Sequence, residues 1–413
     1  MLLLSLIITC VTIVNLKLGL SMWFIVSPLM PIISSQIESI PLLINPALAV
    51  GISLNLVLRK QKLKLRVSVL LFFAYILFST LLVTMFYQHY TSFNAVINFV
   101  LVIFITYIIT VAYYTYEDIY NNIAFSLLLS GLVVFMLALS DLGEASRLAV
   151  EDSVRQLANV LGFSSIFILL TLFSQGKVMN VLYKRSLIVC LIPMIIALIF
   201  TVSRGAIMAF FMTLICSYFF SLYQSKSIKA ILLRLPKVMA WGGGIFFLLY
   251  YYISTKFEMF IFIIEKRFQA DEIGSGTGIR QEIWSRVLES YSLMELFLGL
   301  GIGGFVHRST KIGVFYYSHS VFVDILATSG IIVLIVVLAL LLRVLLKSFY
   351  TNNVFSFGIV IYACLNFATH GSITSPIFWI CIAFAIGASI KHKNSLQAHI
   401  LSTRIIGSNL KDN

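Results

Sequence analysis

Three arginines have the chemistry to bind an anionic group. Arg204 lies in Ser203-Arg204-Gly205, where one apolar run ends and the next begins almost at once, while Arg280 and Arg286 lie in a long polar interval. A guanidinium presents a planar fork of donors that fits phosphate oxygens, and a neighbouring glycine permits close approach of the backbone. The alternatives are an interfacial anchor for Arg204 and ordinary helix ion pairs for the other two arginines.

A histidine supplies the second kind of chemistry, which is proton transfer. His319 follows Tyr317 and Ser318 at the point where a long apolar run begins. Imidazole titrates near neutral pH and therefore suits a general acid or base. A lone histidine is more often structural than catalytic, but an ordinary core role is not expected at the start of an apolar run. Asp324, like Tyr317, is a candidate for substrate binding. It could orient the histidine, bind a sugar hydroxyl or form a hydrogen bond within a helix bundle.

The composition identifies the elements that must position these residues. The chain of 413 residues is 60% hydrophobic and only 11% charged, whereas soluble domains average about 25% charged residues. Apolar runs of about 17–25 residues recur along its length, and a helix of that length crosses a bilayer. We therefore predict an all-α polytopic membrane protein in which residues 1–413 form a single integral membrane domain.

Twelve membrane spans are predicted, and there are thirteen if the apolar residues 2–14 also cross. Residues 2–14 could otherwise belong to a first helix that continues past Lys17, or lie at the interface. The predicted spans cover residues 18–34, 41–58, 67–86, 93–113, 121–139, 156–175, 187–202, 204–223, 237–254, 320–346, 354–370 and 374–390.

The distribution of lysine and arginine predicts the orientation of these spans. With alternating spans, 19 of the 29 basic residues and three of the 16 acids fall on one side, which leaves 10 basic residues and 13 acids on the other. The basic side is predicted to be cytoplasmic and includes the tail, residues 391–413. The polar interval 252–320 then forms one large outer loop, on the same side as Arg204. The net charge of +13 is thus explained by topology, and no nucleic-acid partner is expected.

The outer loop has the pattern of a folded segment rather than a tether. From Arg280 to Phe297, large apolar residues recur at helical spacing. Trp284 is four residues after Arg280, so the two share one helix face, and Trp284 is therefore a further candidate for substrate binding. The pattern predicts a helical lid over the outer mouth of the bundle.

Two other parts of the loop carry predictions. Residues 259–268 are strongly apolar and predict a helix that lies at the membrane surface. Arg267 within them is a weaker candidate for substrate binding, because Lys266 beside it favours contact with lipid headgroups. The glycines between Gly299 and Gly304 predict a tight turn that returns the loop to the membrane.

Neither a metal site nor a cofactor is expected. All five cysteines fall inside apolar runs without a CxxC pair, and we interpret them as small buried hydrophobic residues. The acid pairs Glu151-Asp152 and Asp271-Glu272 have no histidine at ligand spacing. The triplet Asp-x-Asp, whose two carboxylates could also bind a metal ion, does not occur in the sequence.

The order of several short motifs resembles the O-antigen polymerase and ligase superfamily. The resemblance covers roughly residues 190–345, and the half of the chain before it agrees only in hydropathy. One departure is Ser320, where many members have Asn after the histidine. The motifs are Ser203-Arg204-Gly205-Ala206 after an apolar span, Arg280-Gln-Glu-Ile-Trp284, Phe297-Leu-Gly-Leu-Gly-Ile-Gly-Gly-Phe305, and His319-Ser320-x-Phe322 before Gly330-Ile-Ile.

The resemblance implies a GT-C-like glycosyltransferase of the bacterial inner membrane with a large periplasmic loop. The donor would be a glycan on undecaprenyl diphosphate. Arg204 and Arg280 would bind the diphosphate, and His319 would be the catalytic candidate at the end of the loop. Arginines stabilising the departing diphosphate could replace the metal ion that many glycosyltransferases use.

Three functions are consistent with these motifs. The first is an O-antigen polymerase, acting in lipopolysaccharide biosynthesis, that transfers a growing chain from its undecaprenyl carrier to a second lipid-linked repeat unit. The second is a ligase that transfers the finished polymer to lipid A-core or to a protein. The third, a polysaccharide transporter or flippase, would need ionisable residues deep within the spans, where this chain has almost none. We expect membrane lipids, a chain-length regulator and a flippase of the same pathway as partners.

Overall fold

The computed structural model describes ten segments of the chain, and every regular element in them is an α-helix. The predicted all-helical class is therefore confirmed. The described segments are residues 2–26, 41–59, 66–87, 93–116, 119–140, 154–175, 179–224, 270–313, 318–369 and 371–390. In chain order the helices are α1 (Leu2–Val14), α2 (Leu16–Val26), α3 (Pro41–Arg59), α4 (Val67–Phe86), α5 (Phe93–Thr115), α6 (Ile119–Ser140), α7 (Val154–Gln175), α8 (Val181–Phe200), α9 (Arg204–Gln224), α10 (Ala270–Glu289), α11 (Leu293–Leu298), α12 (Gly304–Lys311), α13 (Val321–Thr351), α14 (Val354–Thr369) and α15 (Pro376–Ile390).

Many of these helices have the length and composition of membrane spans. Six of them are long and apolar enough to cross a membrane: α4, α5, α7, α8, α9 and α13. The shorter helices α1, α2, α3, α6, α14 and α15 are apolar as well. Large apolar side chains such as Phe78 and Leu342 are exposed on the outer surface of the bundle, as expected where helices face lipid. The chain is accordingly a multi-pass helical membrane protein, and the number of twelve or thirteen spans stays a prediction.

Three of the predicted segments lie outside the described residues. Two of them are the span at 237–254 and the predicted cytoplasmic tail at 391–413. The predicted surface helix at 259–268 is outside them too.

Residues 2–14 form a separate helix, which does not continue past Lys17. Helix α1 ends at Val14, and the Oδ1 atom of Asn15 accepts a hydrogen bond from the Lys17 amide at 3.0 Å as α2 begins. Helix α1 packs against α3, where the Nδ2 atom of Asn55 donates to the carbonyl oxygen of Thr12 at 2.9 Å. The first of the alternatives for this segment, a continuous helix, is therefore not formed.

Helices α9 and α14 run antiparallel, which places the start of α9 at the same end of the bundle as the end of α14. The rings of Phe220 and Phe357 stack with their centroids 4.2 Å apart. A Cβ atom at Gly358 would lie 2.6 Å from the Oγ atom of Ser217. From the first contact to the second, the residue number falls from 220 to 217 in α9 but rises from 357 to 358 in α14. The two helices therefore point in opposite directions. Helix α7 joins α14 near this end, where Asn366 Nδ2 donates to Asn159 Oδ1 at 3.1 Å.

The predicted span at 320–346 is not one continuous helix, because α13 is interrupted at Gly330. This glycine has φ 79° and ψ 175°, a conformation that is essentially restricted to glycine. The interruption exposes backbone carbonyls, and the glycine-rich segment after α11 uses them. The Leu300 amide donates to Ala327 O at 2.8 Å, and the Gly301 amide donates to Thr328 O at 2.9 Å.

The tight turn predicted between residues 299 and 304 is confirmed. Gly299, Gly301 and Gly303 all have positive φ, between 81° and 86°, and the chain passes against the interruption in α13. A Cβ atom at Gly299 would lie only 2.3 Å from Thr328 O. The turn therefore depends on glycine both for its conformation and for the close approach of two backbones.

The outer loop does contain the predicted helix at Arg280, but the helix does not continue to Phe297. Helix α10 ends at Glu289, and a second helix, α11, begins after Ser292. The Ser292 hydroxyl accepts a hydrogen bond from the Glu295 amide at 3.3 Å, while the Glu295 carboxylate accepts from the Ser292 amide at 2.7 Å. This capping box starts a new helix and divides the apolar pattern in two.

Candidate functional site

Helix α10 is docked on the bundle by two side chains of one face. Trp284 donates from Nε1 to the carbonyl oxygen of Ser318 at 2.7 Å, and Arg280 donates from a terminal nitrogen to the carbonyl oxygen of Thr369 at 3.4 Å. Both side chains are half-buried. The shared face predicted for Arg280 and Trp284 is therefore confirmed, and it points toward the end of α14 and the residue before His319.

The two carbonyl acceptors belong to neighbouring parts of the same rim. The Oδ2 atom of Asp324 accepts a hydrogen bond from the Ile373 amide at 2.7 Å. Gly371, with φ 87°, lies so close to Val321 that a Cβ atom would be 3.1 Å from its Cγ2. The start of α13 and the segment after α14 are thus held together. We call the end of the bundle formed by residues 318–324, Thr369, residues 371–373 and the start of α9 the mouth.

His319 stands at the mouth with an unusual backbone. Its φ is 49°, in the left-handed region, which costs a non-glycine residue on the order of 1–3 kcal/mol and persists only where the surroundings enforce it. Ser320 follows as the N-cap of α13, with its hydroxyl accepting from the Val323 amide at 3.5 Å. The residue is half-buried and directly precedes the N-cap at the positive end of the α13 dipole.

Arg204 is the first residue of α9 and lies at the same end of the bundle. Arg204 lies 13 residues, or about 20 Å along α9, before Ser217, and Thr369 lies 11 residues, or about 17 Å along α14, after Gly358. Because the two antiparallel helices touch at Ser217 and Gly358, Arg204 and Thr369 lie at the same end of the bundle. Arg204 is half-buried. Like His319, Arg204 follows a strained connector, since Val202 has φ 50°, a conformation in which a β-branched residue is an outlier.

The described structure does not bring Arg286 into this group. Its Nη2 atom forms an ion pair with Glu282 Oε1 at 2.6 Å, one turn earlier on the same helix, and both side chains are about 60% exposed. This is the ordinary helix ion pair considered as its alternative. Asp324 is buried and bonded within the bundle, which is likewise one of its alternatives. Tyr317 and Arg267 lie outside the described residues.

A compact cluster beneath α10 holds the loop in position. Val287 and Tyr291 pack with Leu300, Phe305 and Ala327, so this small core joins the end of α10 to the glycine turn and to α13. Burial raises the pKa of the Tyr291 hydroxyl, and the Asp324 and Glu295 carboxylates raise it further against the lowering effect of Arg308.

An ion pair closes this cluster between α11 and α12. The Arg308 guanidinium donates to the Glu295 carboxylate and lies over the Tyr291 ring, 5.2 Å from its centroid. Burial acts to raise the pKa of Glu295, but the hydrogen bonds from Ser292 and the charge of Arg308 outweigh it, and the pKa is lowered. For His307, burial and the charges of Arg308 and Lys311 lower the pKa.

Several residues that shape the site were not identified from the sequence. The carbonyl acceptors of Ser318 and Thr369 carry no sequence signal, and neither does the strained backbone of Val202. Two other features did leave a signal: the Ser-x-x-Glu pattern from Ser292 marks the start of α11, and Gly330 interrupts an otherwise apolar helix.

The part of the chain that contains these residues is similar to a known protein family. Residues 189–338 match the model of a family described as O-Antigen ligase, and these residues include Arg204, Arg280, Trp284 and His319. Comparison with curated proteins gave no match. The family match confirms the resemblance predicted from the motifs: over residues 189–338 the chain is similar to the O-antigen polymerase and ligase superfamily.

Proposed function

We propose that the protein is a glycan polymerase that transfers an undecaprenyl-diphosphate-linked chain onto a second lipid-linked repeat unit at the outer mouth. The observation that carries the proposal is the docking of α10. Through Trp284 and Arg280, this helix is bonded to the two sides of the mouth, at 2.7 Å and 3.4 Å, beside His319. A lid bonded to the rim would enclose the head of a lipid-linked substrate whose tail stays in the membrane.

The arginines are proposed to stabilise the leaving group. When the glycosidic bond to the diphosphate breaks, negative charge builds on the phosphate oxygens, and preorganised donors in a partly dehydrated site stabilise that charge. Arg204 contributes from the start of α9, where the helix dipole also favours an anion. Arg280 contributes from the lid, and its bond to Thr369 O uses one of the five N–H donors of a guanidinium.

His319 is proposed to act as the general base. The acceptor hydroxyl must lose its proton as it attacks the anomeric carbon, and an imidazole at the rim can accept that proton. The strained backbone of His319 supports this role, because strain of this kind is concentrated at functional sites. Independence from metal ions and the periplasmic orientation are parts of the same proposal, as are a flippase and a chain-length regulator as partners. The large loop at 252–320 is proposed to be the periplasmic lid.

A ligase is the second candidate, and the description of the matching family as O-Antigen ligase favours it. A ligase would use the same donor but transfer the glycan to lipid A-core. Incubation of the purified protein in lipid vesicles with lipid-linked repeat units alone separates the two. A ladder of products of increasing length supports the polymerase. A product that forms only after lipid A-core is added would contradict it and support the ligase.

A further inference from the structure

Helix α11 has the reverse of the pattern expected for a helix on a water-exposed loop. Leu293, Met294, Phe297 and Leu298 are exposed by 78%, 67%, 54% and 43%, and we call these four side chains the outward face. The one charged residue, Glu295, turns inward instead, and its side chain is only 18% exposed beside Arg308. Contiguous exposed apolar side chains of this kind mark an interaction surface.

The position of α11 relates this surface to the edge of the membrane. The end of α11 touches the interruption in α13, since a Cβ atom at Gly330 would lie 2.0 Å from Phe297 O. From Gly330 to Lys347 the helix is 17 residues or about 26 Å long, close to the hydrocarbon thickness of about 30 Å. Lys347 marks the opposite, basic end, so Gly330 lies near the edge of the hydrocarbon on the side of the mouth.

Helix α4 gives the same depth independently. The Ile302 amide, in the turn after α11, donates to Thr84 Oγ1 at 3.2 Å. Thr84 is two residues before the end of α4 at Phe86. The outward face of α11 therefore lies at the level where the apolar surfaces of α4 and α13 end.

The outward face is also continuous with surfaces that face lipid. Ile331 and Ile332, which directly follow the contact with Phe297, are exposed by 39% and 47%. At the end of α4, Met85 and Phe86 are exposed as well. A short helix with apolar side chains outward and its charge turned inward fits hydrocarbon rather than water, because a membrane-surface helix buries its apolar face among acyl chains.

We propose that α11 is inserted into the membrane leaflet on the side of the mouth, with its outward face among the lipid acyl chains. The partner is the bilayer itself. Through Tyr291 and the small core beneath α10, this insertion would fix the height of α10 relative to the membrane surface. The loop would thus be anchored at both ends of the described part: by Trp284 and Arg280 on the mouth and by α11 in lipid.

Site-directed spin labelling of the full-length chain in vesicles tests the insertion. With the five native cysteines replaced by alanine, single cysteines are introduced as Leu293→Cys and Phe297→Cys and labelled. Collision with oxygen, which is enriched in hydrocarbon, is compared with collision with a polar nickel complex. Ile332→Cys, exposed by 47% on α13 at the same depth as α11, is the lipid-facing control, and Glu289→Cys, exposed at the end of α10, is the water-facing control.

We expect the oxygen-to-nickel ratio at both positions to be within about twofold of the ratio at Ile332 and about tenfold above that at Glu289, because a polar complex enters hydrocarbon unfavourably. Ratios equal to that at Glu289 would overturn the proposal. Low collision with both reagents would overturn it too, since the outward face would then be covered by protein, for example by a second copy of the chain. Met294→Cys and Leu298→Cys provide further positions on the same face if either of the first variants fails to fold.

Discussion

The docking of α10 can be tested by removing a single hydrogen-bond donor. The substitution Trp284→Phe keeps an aromatic ring in the same place but removes the Nε1 donor, which bonds to Ser318 O at 2.7 Å. Ser318 is buried, with 4% of its surface exposed. The variant therefore leaves a buried carbonyl oxygen without this donor while it changes the packing of the lid only slightly.

The magnitude follows from the cost of that unsatisfied acceptor. Leaving a buried polar group unpaired costs about 1–3 kcal/mol, and this free energy is lost from the docked state of α10 relative to an undocked one. At about 1.4 kcal/mol for each factor of ten, the undocked population is expected to rise roughly 5- to 150-fold. Because Arg280 is on the same helix, its guanidinium would leave the mouth together with Trp284.

Hydrogen exchange detected by mass spectrometry measures this population directly, since local opening controls the exchange of protected amides. The amides of residues 280–289 are expected to exchange faster by the same factor in the variant. The matched control is Ser285→Ala, the next residue on the same helix, whose exposed hydroxyl donates to Glu282 O at 2.9 Å. Its exchange is expected to change little. Equal exchange in Trp284→Phe and in the unmodified protein would refute the docking argument.

Three further predictions concern the turn, the ion pair and the histidine. Gly330→Ala is expected to lower the free energy of unfolding by at least about 2 kcal/mol, since its φ of 79° is strained for alanine and the new Cβ would lie 2.0 Å from a carbonyl oxygen of α11. In denaturant titrations the control Gly278→Ala, where nothing lies within 4 Å of the new Cβ, should be neutral or stabilising, and equal losses in both would contradict the role of the turn. Because the pKa of Glu295 is lowered in the folded protein, its pairing with Arg308 stabilises α11 and α12 above the ordinary glutamate range and is lost as the pH falls through the folded pKa. Amide hydrogen exchange of residues 293–311, corrected for the effect of pH on the intrinsic rate, should therefore become faster as the pH is lowered from about 6 to about 3. The increase should be much smaller in Glu295→Gln. A similar increase in both proteins would exclude Glu295 as the cause. His319→Asn keeps a residue that tolerates the left-handed conformation but removes the base, so we expect kcat for chain extension to fall about 10²- to 10⁴-fold with unchanged exchange in α10. Undiminished turnover would exclude His319 as the base.

The sequence was informative where side-chain type and periodicity carry the structure. The helical spacing in the outer loop placed Arg280 and Trp284 on one face, and the structure bonds both of them to the mouth. The same spacing could not show that the helix ends at Glu289. Ser292 and Glu295 form a capping box that starts a new helix. The break is not visible in the apolar pattern, because apolar side chains continue at a similar period on both sides of it.

The remaining features depend on contacts between distant parts of the chain. Gly330 interrupts α13 because the glycine turn after α11 takes over the carbonyls of Ala327 and Thr328, and no local pattern specifies that partner. Similarly, Asp324 bonds to the Ile373 amide, 49 residues later. A single sequence allowed this carboxylate several roles, and only its neighbour in space shows which contact it makes.

The function proposed here can also be tested on the charges at the mouth. Arg204→Ala, Arg280→Ala and His319→Asn are compared with the unmodified protein for extension of lipid-linked repeat units in vesicles. Arg185→Ala is the control, because it removes an exposed arginine near the start of α8, at the end of the bundle predicted to be cytoplasmic. Inserted protein is quantified in every sample so that a loss of product is not a loss of protein.

The most direct measurement is the rate at which the product ladder forms in this assay. We predict a ladder with the unmodified protein and with Arg185→Ala. For each of Arg204→Ala and Arg280→Ala we predict a rate about 10²- to 10³-fold lower, as expected when one preorganised donor to a developing charge is removed. Normal ladders from the arginine variants, at equal amounts of inserted protein, would contradict the claim that this mouth is the site of glycosyl transfer.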